Sequence, residues 1–299
     1  TGGGNVAVGY QAGFNLGGLA NSNICIGAGA GNAATTQDEL VLIGDAAGDA
    51  INNDAADGTI AIGHQSLTAC TSGAGNIAIG YRSGDAITSG HWNTIVGYNA
   101  AGALITGQSN TVIGYNAFDA QAGQSGEGND GNYNVVIGQS AMGNVDAGTH
   151  DSAVVDSNIA IGVDALLGGD FDTSDKDLLG NIAIGHNALD ATGQNAHTGT
   201  IAIGHKALTA CTSGARNLAI GYQALQHADT ATDNIAIGYQ ALSDQNVGGS
   251  GHAADCDHNI AIGSLAMSGA WADSKSERNV AIGTSAMAGA MDESVDNIA

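Results

Sequence analysis

Tyr81, Tyr98 and Tyr115 are separated by 17 residues each and stand one place after a glycine that ends a short apolar run. On successive rungs of a stacked fold they form an aromatic strip with a step of about 5 Å. Such a strip suits stacking on sugar rings, or else it is a packed ladder. A second candidate is the run Asp170-Phe171-Asp172-Thr173-Ser174-Asp175-Lys176-Asp177. Asp170, Asp172, Asp175 and Asp177 supply closely spaced hard oxygen ligands in a long loop, which fits calcium or a solvated loop. The run lacks the glycine and terminal glutamate of an EF-hand. His252, Cys256 and His258 form a weaker set, with no evident fourth ligand. The sequence contains no P-loop, nucleophile elbow or His-Glu-x-x-His, so it is read as a non-enzyme. His64, His186 and His205 occupy the same register as the tyrosines.

The elements that position these residues are dictated by a repeat. Asn-Ile-Ala-Ile-Gly and its variants mark fifteen complete units, anchored at glycines from Gly9 to Gly283. The spacing is most often 17 residues and reaches 23 to 25 around Gly138, Gly162, Gly185 and Gly263. A fixed core with variable insertions predicts a solenoid. In Asn234-Ile235-Ala236-Ile237-Gly238 the alternation of β-branched residues about alanine predicts a strand. The small intervening alanine predicts close approach of a second surface and therefore several chains packed about an axis. Asn stands four residues before the anchor in thirteen of sixteen units, the exceptions being Leu40, Thr59 and Thr200, and predicts a side-chain ladder. A second apolar strip after each anchor predicts a second short strand per coil.

The fold expected is therefore all-β: a parallel β-roll of about fifteen coils, forming one module over residues 1–299. A first unit near Thr1 and a last cut at Ala299 predict an internal fragment of a longer fibre.

Composition narrows the partners. The chain has no proline, as expected where backbone donors are committed to ladders. Its formal charge is −23, with 29 acidic residues against 6 basic, which argues against nucleic acid and anionic membranes. Several copies packed together would multiply this charge, so salt or divalent cations should favour their assembly. Cys25 takes the place of the motif alanine and predicts a small buried thiol, while Cys70 and Cys211 occupy matching places in two near-identical units. No segment is long and apolar enough to cross a bilayer.

These units resemble the head repeat of trimeric autotransporter adhesins, a motif also found in bacteriophage tail fibres. Thr59-Ile60-Ala61-Ile62-Gly63-His64-Gln65-Ser66-Leu67 is the nearest unit, and the resemblance extends over essentially the whole chain. It differs in placing Asn four, not five, residues before the glycine. The resemblance implies a left-handed parallel β-roll, an elongated homotrimer and adhesion. The expected owner is a phage or viral tail fibre that contacts a host surface glycan or other receptor from the virion exterior. The alternatives are a bacterial adhesin head on the cell surface and a purely structural extracellular filament. Receptor contact is expected in the long loops 119–133, 143–157, 167–180 and 243–258.

Overall fold

The computed structural model describes residues 2–119, 131–145, 154–168, 177–192, 197–227, 230–243, 256–269, 276–289 and 295–299. They belong to two compact units, 1–156 and 157–299, each a parallel β-solenoid without α-helix among the described residues. In the first unit the repeat strands are β1 (Val6–Val8), β2 (Ile24–Ile26), β3 (Val41–Ile43), β4 (Ile60–Ile62), β5 (Ile77–Ile79), β6 (Thr94–Val96), β7 (Thr111–Ile113) and β8 (Val135–Ile137). A short β9 (Val155–Asp156) ends that unit. The second contains β10 (Ile159–Ile161), β12 (Ile182–Ile184), β14 (Ile201–Ile203), β15 (Leu218–Ile220), β16 (Ile235–Ile237), β17 (Ile260–Ile262) and β18 (Val280–Ile282). Within it β11 (Leu178–Leu179) pairs with β13 (His197–Thr198). Pairing is in strict motif register, as in Ile201↔Leu218, Ala202↔Ala219 and Ile203↔Ile220. Coil stacks on coil, and insertions between strands leave the register untouched.

The strand faces are the reverse of the sequence expectation. The motif alanine points into the coil and is fully buried at Ala61, Ala78, Ala183, Ala219 and Ala236. The large flanking residues point outward: Ile26 is 37% exposed, and Ile79 and Ile113 are 38% exposed. In most coils the inward side chain is small, because Leu67, Leu189 or Leu225 fills the space from the other wall, although Val112 and Val136 are also fully buried in the coils that hold Phe118 and Met142. Where Leu42 replaces alanine, the facing residue is Gly48, whose added Cβ would lie 2.7 Å from Leu42 Cδ2. Gly84 likewise makes room for Ile95, at 3.0 Å from its Cδ1.

The second apolar strip is a run of turns, not a strand. Two and four residues after the anchor the backbone turns left-handed, at φ 55 for Gln65 and φ 49 for Leu67. This alternation aims successive N–H groups at opposite neighbours: Gln65 donates to the Asp45 carbonyl of the preceding coil at 2.8 Å, and Leu67 to the Ser83 carbonyl of the next at 3.1 Å. The two left-handed non-glycine residues cost about 2–4 kcal/mol per coil. Full burial of the leucine returns about 1.5–3 kcal/mol, and the two hydrogen bonds to neighbouring coils offset the rest at about 0.5–1.5 kcal/mol each. With donors committed on every side of the coil, a proline would orphan a carbonyl nearly anywhere.

Two further columns hold the stack. The predicted asparagine ladder is present and buried. Asn93 Nδ2 donates to Asn76 Oδ1 at 3.1 Å and to the Gly107 carbonyl at 2.8 Å, and its own Oδ1 accepts from the Asn110 backbone N–H and Nδ2 at 3.0 Å each. In the second unit the same bonds link Asn217, Asn234, Asn259, Asn279 and Asn297. The anchor glycines have φ between 130 and 147, a region open essentially to glycine alone. A Cβ on Gly185 would meet the Gly204 carbonyl oxygen at 2.5 Å, so the column also needs bare backbone.

Candidate binding surfaces

Among the described residues the outward strand face is left uncovered. Two β-branched side chains per coil, such as Ile77 and Ile79 or Ile235 and Ile237, form columns running along each unit. The fully buried residues sit behind them, so these columns contribute nothing to the interior of the coil. A side chain of this type has roughly 100 Å² of apolar surface, from about 2.5 kcal/mol at 25 cal/mol per Å². With about a third of each exposed, the first unit alone shows on the order of 400 Å². Soluble monomers rarely expose contiguous apolar patches larger than a few hundred Å².

Tyr81, Tyr98 and Tyr115 are brought together as predicted. With His64 they form a stack with ring centroids 5.1, 4.8 and 5.3 Å apart and planes within 17°. The second unit repeats it with His186, His205, Tyr222 and Tyr239, at 5.3, 5.2 and 5.4 Å. The rings are half exposed, Tyr98 at 50% and Tyr115 at 53%. Each inner ring spends both faces on its neighbours, so Tyr81 and Tyr98 offer solvent their edges and hydroxyls. A sugar could stack only at the end of such a ladder. His64 also approaches Asp45 on the preceding coil, at 3.5 Å.

Asp170, Asp172 and Asp175 lie outside the described residues, as does most of each of the four long loops proposed for receptor contact. Of the proposed calcium set only Asp177 is described; its carbonyl accepts from the His197 N–H at 2.9 Å. His252 is likewise outside. Cys256 is buried, and His258 faces Asp233 at 3.7 Å. No group of three or more His, Cys, Asp or Glu able to hold a metal occurs among the described residues. No described helix is long and apolar enough to cross a membrane.

Several charged residues have structural roles that the sequence reading missed. Six residues before the anchor, Asp57 Oδ1 accepts the Asp38 N–H at 2.8 Å, Asp156 Oδ1 the Asn132 N–H at 2.6 Å and Asp257 Oδ1 the Thr232 N–H at 2.7 Å. The signal was a fixed offset, two residues before the ladder position. Next to it, Arg216 grips Asp233 with two bonds of 2.7 Å, and Arg278 grips Asp296 at 2.8 and 3.2 Å. The guanidinium bonds hold both carboxyls below their ordinary range. Exposed pairs of this kind are screened by solvent and add little to stability.

The four cysteines are buried and unbridged, and burial pushes the Cys25 thiol up to about 11. His197 is fully buried in the second unit. Its Nε2 lies 3.2 Å from both the Thr192 and Thr212 carbonyls, and no described group bonds Nδ1. Desolvation therefore lowers its pKa against the opposing pull of those carbonyls.

In comparisons with known proteins, no family model, curated protein or solved structure matches this chain.

Proposed function

We propose that this chain is the repeat module of an elongated homotrimeric fibre, about fifteen coils per chain, most consistent with a phage or viral tail fibre that contacts a host surface. The observation that carries the reading is the outward column of partly exposed Ile and Val residues beside an interior that is already full. Three copies can bury this face against one another about a common axis. Covering about 400 Å² of apolar surface per unit and chain is worth on the order of 10 kcal/mol before the cost of association. The tyrosine and histidine stacks and the acidic edges would then line the outside of the fibre. Adhesion would come from many weak contacts made at once by three chains. The repeat's resemblance to trimeric autotransporter adhesin heads supports the same assembly, with a bacterial cell surface as the alternative location. No catalytic step is proposed.

A substitution on the outward face tests this reading. Ile220→Lys on the outward face should convert the assembly to single chains that keep their β signature in circular dichroism. A variant that remains trimeric would remove the proposed interface.

A further inference from the structure

The column five residues before each anchor holds, on successive coils of the first unit, Gly75, Trp92, Ser109 and Tyr133. All four are left-handed, with φ 62, 56, 58 and 58. Trp92, Ser109 and Tyr133 donate equivalently to the preceding coil, to the Ala74, His91 and Gln108 carbonyls at 2.9, 2.9 and 3.0 Å. Their side chains therefore leave the backbone in the same way at successive steps. Rings on adjacent coils of this protein stack at 4.8 to 5.4 Å. Here the two rings stand on alternate coils, which places them on the order of 10 Å apart with a serine between them.

Trp92 is 64% and Tyr133 57% exposed, more than any tyrosine inside the stacked ladders. Trp92 rests its Cδ1 and Nε1 edge on the bare Gly75 of the earlier coil, 3.1 and 3.7 Å from where a Cβ would stand, and its ring lies tilted against His91 at 5.6 Å. Ser109 stands on the coil between Trp92 and Tyr133. A gap of that size admits one flat body at the stacking step of the tyrosine ladder, here one with apolar faces for the rings and a polar rim for the serine. A pyranose ring has that form: its C–H faces pack on the aromatic faces, and its hydroxyls can meet Ser109 Oγ and the Tyr133 hydroxyl. The chain charge of −23 favours an uncharged sugar over an acidic one.

We propose that Trp92, Ser109 and Tyr133 form a slot for one uncharged pyranose residue of a glycan. This rests on the reading of the fibre as a host-contacting module and names the chemistry of that contact. Replacing Trp271 by Phe leaves Trp92 as the sole tryptophan reporter, since the chain has two. Maltohexaose, cellohexaose and chitotetraose are the probes, with polygalacturonate as the acidic control. At least one uncharged probe should change Trp92 emission and give a measurable Kd by calorimetry. Trp92→Ala and Tyr133→Ala should each weaken it by about tenfold or more. Ser109→Tyr should abolish it by filling the slot with a ring stacked as Tyr98 is on Tyr81, without loss of the fold. Unchanged binding in these variants would overturn the slot while leaving glycan contact elsewhere on the fibre. Failure of the intact parent to bind any uncharged probe would overturn the slot as well, and would return host contact to a different chemistry.

Discussion

Replacing Asn93 by alanine removes one rung of the buried amide ladder and tests whether that ladder holds the coils together. Four interactions vanish: the two Nδ2 bonds to Asn76 Oδ1 and the Gly107 carbonyl, and the two bonds that Asn93 Oδ1 accepts from Asn110. Asn76 Oδ1 keeps the Asn93 backbone N–H at 2.9 Å and is not orphaned. The Asn110 N–H and the Gly107 carbonyl each lose a partner in a buried site, and an unsatisfied buried group costs about 1–3 kcal/mol. The total expected is about 3–5 kcal/mol. Asn93→Thr should cost less, about 1–2 kcal/mol, because threonine already fills this position at Thr59 and Thr200. Thr59 Oγ1 reaches the Gly73 carbonyl at 3.1 Å, replacing one of the lost donors. Urea denaturation followed by circular dichroism gives the overall loss. Because repeat arrays need not unfold in one step, hydrogen exchange at the Asn110 amide provides the local reading. Alanine and threonine variants of equal stability, or an Asn110 amide protected as in the parent, would refute the ladder argument.

Further outcomes follow from the same structure. Gly185→Ala should destabilise by more than about 3 kcal/mol in urea melts, combining a glycine-only φ of 138 with its clash on the Gly204 carbonyl. Gly58→Ala should cost only about 1–2 kcal/mol, because its φ is 72 and nothing lies within 4 Å of the added Cβ. Ala219→Leu should overpack the coil by about 1–3 kcal/mol, and adding Leu225→Gly should recover much of the loss by copying the Leu42 and Gly48 pair; additive effects in the double-mutant cycle would contradict this. The buried His197 binds its proton less readily folded than unfolded, so its contribution is present above the ordinary pKa near 6.5 and is lost as pH falls from there through the lowered folded value. The urea midpoint of the parent should therefore fall more steeply than that of His197→Gln between pH 7 and 5, and parallel curves would contradict the linkage.

Much of this architecture was legible in the residues. The Ile-Ala-Ile alternation located each repeat strand, the recurring Asn located the ladder and the Gly located the tight column, because each is a local demand of one coil on the next. Which strand face turned inward was not legible. Period two separates Ile235 and Ile237 from Ala236 but does not say which side is the interior, and the usual equation of bulk with burial chose wrongly. The match of Leu42 with Gly48 and of Ile95 with Gly84 was a partial signal, since Val112 with Phe118 and Val136 with Met142 are large on both walls. The left-handed turns escaped notice because Leu67 and Phe118 carry no mark of positive φ; hydrogen bonds and burial impose it on them. The tyrosine column was found from spacing alone, whereas coverage of its inner ring faces depends on the 5 Å step. Trp92 and Tyr133 were missed because their offset from the anchor was not followed as a column.

The central claim is that the outward isoleucine face is the contact between copies. Its most direct test is the molar mass of the native chain by light scattering in moderate salt. Assembly predicts three times 29.3 kDa, about 88 kDa, for the parent and 29.3 kDa for folded Ile220→Lys. A parent that scatters as a 29.3 kDa particle at all salt concentrations, with its isoleucine columns open to water, would contradict it.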